Sequence, residues 1–488
     1  MGYSEPMSDI KKKLDGLAAQ LGMISAKSLL PGREDTGTQR PKDVSVDVQR
    51  PSDSDGPTGM LSNEMADQLR ARMGLKKEEN PVFPSGGPEI TALLPGEIIG
   101  DSGYGFFLYR RTFPGTFAMG RVPLGAGLAC EGRHVALSAC DDTLRDFNPV
   151  KACYVDTETT GLAGGAGTVA FLVGLGYFTE DAFTLEQCFM RDYDDEGAML
   201  AYLADRFAQF DCIVSYNGKS FDLPLLRTRF VQHRLSIPFA EAAHYDLVHA
   251  VRRVWKKRLS DCSLNNIERL VLDFHREGDV PGYLIPQIWQ EYLETRDARP
   301  LEGVFYHHAM DILSLAALAG HLSQCLAAEA GPAFHHAEDQ LSVIRLYYKN
   351  KEYASVVEHA QAFLDASRVA DDLRRESLSL LGNAAKRLGR YDDMYDAWKT
   401  LHEEYPTDSA SAAELAKFLE HQFRNPREAA RVCRETLDAL FKEQGPAGVT
   451  GDLQISALRG RLKRLEAKLE RQQQPRNGSK DIFFDMQE

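Results

Sequence analysis

Two carboxylates stand two residues apart in "YVDTETTG", where Asp156 and Glu158 follow the apolar pair Tyr154 and Val155. On a strand, residues i and i+2 share a face, so both acids point the same way and repel each other. Two more acids sit in apolar surroundings downstream. Asp222 follows the buried-strand pattern "CIVSYNG" at the start of a helical segment, and Asp311 is the sole acid in the helical run "VFYHHAMDILSLAALAGHL". Four carboxylates converging from three elements make an oxygen cage suited to Mg²⁺ or Mn²⁺. Without a cation they raise one another's pKa. With two divalent ions about 3.5 to 4 Å apart they become a clamp for phosphoryl transfer, one ion activating water and the other steadying the leaving oxygen.

The elements that must position these acids are legible as a pattern. "CYVDTET", "GTVAFLVGLGYF" and "FTLEQCFMRDY" are β-branched and aromatic runs separated by short turns, which predicts three strands joined by hairpins. Next come a helix in "DEGAMLAYLADRFAQF", the strand "CIVSYNG", a helix in "SFDLPLLRTRFVQHRL", and a short strand or turn running into a helix in "AAHYDLVHAVRRVWKKRL". The predicted fold class is α/β, a mixed sheet flanked by helices over residues 149–328.

Around this unit the composition shifts. Residues 1–95, rich in Ser, Asp, Pro and Gly, are expected to be largely disordered, with short helical stripes at Ile10, Leu14, Leu17, Leu21 and at Leu61, Met65, Leu69, Met73. Segments such as "YGFFLYRRTF" and "HVALSAC" over 96–148 suggest a small strand-rich preamble. From 335 to 445 the pattern is helical only, and "YYKNKEYASVVEHAQAFL" overlays "AAKRLGRYDDMYDAWKTL" with Tyr353 on Tyr391. A period of about 35 to 38 residues is that of helical hairpins, and Leu381, Gly382, Trp398 and Pro406 fall at offsets that resemble the tetratricopeptide repeat. Residues 452–488 read as a charged helix and tail.

Bulk properties narrow the function classes. A chain of 488 residues carries more than one folded unit, and no run approaches the roughly 18 consecutive apolar residues of a spanning helix. No signal-peptide pattern opens the sequence, so a cytoplasmic protein with no membrane partner is expected. The eight cysteines contain no CxxC pair and read as buried, reduced thiols. A formal net charge of -14 repels nucleic acid, so a polynucleotide ligand needs a local basic surface. The best candidate is "RRVWKKR", where Arg252, Arg253, Lys256 and Lys257 fall on one helical side; the alternative is a solvated face, with Trp255 in the core. "GKS" at 218–220 is not a P-loop, because Ile213 stands where that motif needs Gly. Gly164, Gly165 and Gly167 are better read as a turn between strands than as a nucleotide cradle.

"DTET", "NGKSFD" and "HHAMD", in this order, resemble the DEDD (DnaQ-like) 3'-5' exonucleases of the ribonuclease H-like fold over residues 150–325. "DTETTGLAGGAGTVAFLVGLGYF", "YNGKSFDLPLLRTR", "DLVHAVRRVW", "CSLNNIER" and "DVPGYLIP" together resemble its YprB-like branch, whose members can also carry tetratricopeptide repeats. The resemblance implies that Asp156, Glu158, Asp222 and Asp311 bind two metal ions, and that a His or Tyr just before the last Asp orients or deprotonates the attacking water. Tyr306 and His307 occupy the two familiar spacings with their residue types exchanged. On a helix His307 (i, i+4) and His308 (i, i+3) share a face with Asp311, whereas Tyr306 points elsewhere, and His307 is the favoured base. If the NxxxFD pattern carries over, Asn217 helps place metal or substrate; otherwise it is a turn residue. Asp246 either borders the site or caps a helix.

The expected function is metal-dependent 3'-5' exonucleolytic hydrolysis of DNA or RNA, with the repeats recruiting a protein partner or extending the nucleic-acid channel. The polarity rests on the resemblance, since four acids alone fit an endonuclease equally well. The rival is a catalytically silent adaptor that binds through its repeats.

Overall fold

The computed structural model describes residues 86–101, 104–161, 167–180, 182–327, 334–365, 369–448 and 453–473. The expected disorder and helical stripes before residue 86, Gly164, Gly165 and the tail after 473 lie outside the described residues.

A one-turn helix α1 (Ile90–Leu93) leads into strands β1 (Glu97–Asp101) and β2 (Tyr104–Pro114). A small hairpin of β3 (Ala118–Met119) and β4 (Val122–Pro123) and helix α2 (Gly132–Ala139) precede the meander β5 (Ala152–Thr159), β6 (Ala170–Thr179) and β7 (Ala182–Phe189). Then α3 (Glu196–Phe207), β8 (Cys212–Ser215), α4 (Asp222–Gln232), β9 (Ala243–Asp246) and α5 (Leu247–Trp255) alternate. Helices α6 (Leu264–Ile267), α7 (Ile285–Thr295) and the 27-residue α8 (Leu301–Ala327) complete the unit. The strands form one seven-stranded sheet in the order β1-β2-β7-β6-β5-β8-β9, antiparallel from β1 to β5, with β8 and β9 added parallel. This is the expected α/β class: a mixed sheet with helices on its faces, followed by a helical region.

The stretch before the meander is less separate than its sequence suggests. β1 and β2 extend the same sheet by pairing β2 with β7. "HVALSAC" is not a strand but most of α2, whose His134, Val135, Ala136, Leu137 and Ser138 are all buried. A short run buried on all sides has no alternation to distinguish a strand from a helix.

Side chains of β5 alternate between two apolar clusters. Tyr154 packs with Phe178, Phe183 and Ile312, whereas Cys153 and Val155 join Met199, Leu203, Leu226 and Phe230 on the opposite face. Asp156 and Glu158 continue the Tyr154 series and so face α8. That helix is apolar and long enough to cross a membrane by composition, yet it serves as the core helix here, with Ile312, Leu313, Leu315 and Ala316 at most 1% exposed. It lies against the middle of the sheet because β6 carries Gly174 and Gly176 on the facing side. A Cβ on Gly174 would come 2.0 Å from Ile312 Cδ1 and 2.5 Å from His308 Cε1.

Among the described residues seven further helices follow: α9 (Ala337–Lys349), α10 (Tyr353–Asp365), α11 (Asp371–Leu388), α12 (Tyr391–Glu404), α13 (Ser409–His421), α14 (Pro426–Gly448) and α15 (Leu453–Gln473). Each packs on the next, and α9 also packs on α5 of the sheet unit. Gly382 of α11 leaves room for the Trp398 ring of α12, whose Nε1 would lie 2.4 Å from an added Cβ.

Replacing Gly174 by Ala is expected to cost about 1 to 3 kcal/mol by overpacking α8 against β6. Urea denaturation of the variant beside wild type checks this; unchanged stability would mean that α8 does not lie this close to the sheet.

Candidate metal centre

The site begins at the bulged end of β5. Asp156 pairs with Gly174 and Glu158 with Leu172 on β6, and the register shifts between Glu158 and Thr159, where β5 leaves the sheet. With no side chain on Gly174, the space over Asp156 is open to α8. His308 fills it: the ring is 0% exposed, Nε2 donates to the Asp156 carbonyl at 3.1 Å, and Nδ1 accepts from Gln187 Nε2 at 3.0 Å. Burial lowers the His308 pKa to about 4, so the imidazole is neutral and both nitrogens are used. His308 is thereby a brace between β5 and α8, and Tyr306 packs against the apolar core.

His307 faces the acids. Its Nδ1 lies 2.9 and 3.0 Å from the two Asp279 oxygens, and its Nε2 lies 3.3 Å from Asp311 Oδ2. Glu158, His307 and Asp311 offer possible ligand atoms that all lie within 4.8 Å of one another. Asp222 opens α4, where its Oδ1 accepts from Thr157 Oγ1 at 2.5 Å. The loop before it is tied down by Asp246, which accepts from the backbone N–H groups of Asn217 at 2.7 Å and Lys219 at 3.0 Å. Asp246 also caps α5 through Val248 N–H, so the helix-cap reading holds. Asn217 is a left-handed turn residue, φ 67°, held through its backbone.

The charges crowd as the spacing predicts. Burial pushes the Asp156 carboxyl well above the usual carboxylate range, and Asp311, Asp222 and Glu158 push it further. Glu158 is raised by burial and then by Asp311 and Asp222. Burial raises Asp222 too, against the Thr157 hydrogen bond. Arg276 opposes them: 3% exposed, it donates from Nη2 to Asp311 Oδ1 at 2.5 Å and from Nε to Glu268 Oε2 at 2.8 Å. Sequence reasoning missed Glu268, in the helical turn after α6, and Arg276 and Asp279, in the irregular chain before α7. Asp279 opens the quoted "DVPGYLIP", and that was the available signal.

The donor set fits a divalent cation. Carboxylate oxygens such as those of Glu158 and Asp311 are the ligands that Mg²⁺ and Mn²⁺ prefer, His307 stands beside them, and the raised Asp156 and Glu158 pKa values mark carboxylates that a bound cation would relieve.

The basic stretch is less available than the sequence predicts. Arg253 donates to the Ser138 carbonyl at 2.9 Å, Lys257 pairs with Glu376 of α11 at 3.5 Å, and neighbouring Arg258 pairs with Asp339 of α9 at 2.8 Å. Lys257 and Arg258 fasten the helical region to the sheet unit. Arg252 and Lys256 stay exposed, Lys256 donating to the Ser260 carbonyl, while Trp255 is a core residue, 2% exposed and stacked parallel to His321.

Residues 153–323, which contain Asp156, Glu158, Asp222, His307 and Asp311, match the family model of the RNase_H superfamily. The sheet unit is therefore a ribonuclease H-like domain. The chain is also 31% identical over 297 residues to the YprB protein of Bacillus subtilis (strain 168), a match spanning 60% of this chain and 70% of that one. It belongs to the YprB family. Among solved structures, the family B DNA polymerase of the archaeon Pyrobaculum calidifontis aligns with 49% of this chain and 30% of its own length, at 16% identity and a TM-score of 0.31.

Because the folded state holds the Asp156 proton above the usual carboxylate range, it binds more protons than the unfolded chain, and this group's contribution to metal-free stability falls as pH rises from about 4. Asp156→Asn has no such loss, so in EDTA the variant should gain on wild type between pH 4 and pH 7. Thermal melts across that range check it; a stability difference independent of pH would contradict the crowding.

Proposed function

We propose that this protein is a metal-dependent nuclease of the DEDD type that hydrolyses phosphodiester bonds of DNA or RNA from the 3' end. The observation that carries the reading is the convergence of Asp156 and Glu158 from β5, Asp222 from α4 and Asp311 from α8, with His307 beside Asp311. Membership in the ribonuclease H superfamily supports it.

Asp156, Glu158, Asp222 and Asp311 would hold two Mg²⁺ or Mn²⁺ ions, which supply an activated water and charge stabilisation for the leaving oxygen. Asp279 accepts the Nδ1 proton of His307 and so sets the tautomer, leaving Nε2 as the proton acceptor on the side of Asp311. His307 Nε2 takes the proton of the attacking water. His308 is fully engaged by Gln187 and the Asp156 carbonyl, and its role is to hold β5 and α8 in register.

Substrate follows the exposed charges of Arg252 and Lys256, with Asn217 at the turn beside Asp222. The helices α9 to α15 act as tetratricopeptide-like repeats that recruit a protein partner or prolong the nucleic-acid path.

End-labelled single- and double-stranded DNA and RNA with Mg²⁺ or Mn²⁺ test the reading. Wild type should shorten a 5'-labelled strand progressively, Asp156→Asn and Asp311→Asn should abolish this, and Asp279→Asn should slow it by about 10- to 100-fold, as loss of an outer hydrogen-bond partner does. No cleavage of any substrate would leave the adaptor as the account, and a ladder from the 5' end would overturn the polarity.

A further inference from the structure

Arg276 has more carboxylate around it than its charge requires. Glu268, 1% exposed, grips it with both oxygens, from Nε at 2.8 Å and from Nη2 at 2.5 Å. That bidentate pair alone neutralises the guanidinium and satisfies a buried fork. Yet Nη2 also donates to Asp311 Oδ1 at 2.5 Å, and Nη1 lies 3.3 Å from Asp279 Oδ2. Two acids of the candidate centre, one a ligand and the other the His307 partner, are thus bound to a fixed positive charge that Glu268 already balances. Asp311 is left with Oδ2, which faces His307 Nε2 at 3.3 Å.

We infer that Arg276 is a built-in counter-cation that competes with a divalent ion for Asp311. It holds the carboxylate in place when no metal is bound and weakens the binding of any ion that needs Asp311 Oδ1. The inference rests on the proposed metal binding at this site and adds to it a residue that sets metal affinity without itself ligating. Three features fit this role. The guanidinium is 3% exposed and cannot serve as a mobile substrate contact. Its anchor Glu268 lies outside the acid cluster, in the helical turn Glu268–Leu272 that follows α6, so the charge is held from behind. Its field opposes the repulsion on both Asp156 and Glu158, as an ion at the centre would.

The test is Mn²⁺ binding followed by electron paramagnetic resonance of the free ion, with metal-free melting temperature as a second readout, on full-length wild type, Arg276→Gln and Arg276→Lys. Removing one nearby unit charge should tighten binding of the Asp311-dependent ion by about tenfold or more. Arg276→Gln should also melt lower than wild type in EDTA and gain more from saturating Mn²⁺. Arg276→Lys, which keeps the charge, should bind Mn²⁺ like wild type. Should Arg276→Gln fail to fold, the pair Arg276→Gln and Glu268→Gln leaves no unpaired buried charge, still frees Asp311 Oδ1 from its hydrogen bond, and should bind Mn²⁺ more tightly than wild type, by less than the single change. Equal or weaker Mn²⁺ binding in the charge-removed variant would overturn the inference while leaving metal binding intact. Absence of Mn²⁺ binding in wild type would overturn the metal reading beneath it.

Discussion

Mutual repulsion among partly buried carboxylates is the constraint on which the rest of this structure depends. Asp156, Glu158, Asp222 and Asp311 come from three elements far apart in the chain; burial first, and then the neighbouring acids, make Asp156 and Glu158 costly to ionise, and burial does the same for Asp222. Such an arrangement persists only where rigid neighbours hold it. The strand β5 supplies two acids in fixed register, α8 a third, and the turn from β8 into α4 a fourth. The close approach of α8 at Gly174 and Gly176, the neutral His308 bridging β5 to α8, and the Asp246 brace on the Asn217 turn all serve that placement.

Opposing charge is supplied unevenly. Arg276 compensates the Asp311 side, and Thr157 gives Asp222 a hydrogen bond, whereas Asp156 and Glu158 receive the more distant field of Arg276. A divalent cation would therefore relieve most repulsion on the β5 pair. His307 stands between the compensated and uncompensated sides, oriented by Asp279, a carboxylate that Arg276 also touches. The histidine, its partner and the counter-cation form one coupled group, so a change at any of them is felt at the others.

Much of this was legible in the sequence because the relevant signals are local and periodic. The i, i+2 spacing placed Asp156 and Glu158 on one face, the apolar helical run placed Asp311, and the i, i+4 relation brought His307 to it. The mixed character of the sheet followed from a meander and then alternating helices and strands. What escaped has no period. Arg276 and Asp279 lie in irregular chain, and Glu268 lies in a helical turn of irregular pitch, so their partnership depends on tertiary position alone. The two helical stripes that include Leu14 and Met65 fall outside the described residues, and the strand reading of "HVALSAC" failed because a segment buried all round shows no alternation. Of the four cations in the basic run three are engaged: Arg253 and Lys256 meet backbone carbonyls, and Lys257 docks the helical region.

The central claim is that the crowded carboxyls hold protons which a divalent ion displaces. Titration calorimetry with Mn²⁺ at pH 6, repeated in buffers of different ionisation enthalpy, measures the protons released per ion bound. The account predicts saturable binding with net proton release, and reduced release in Asp156→Asn. Binding without proton release, or no binding, would contradict it.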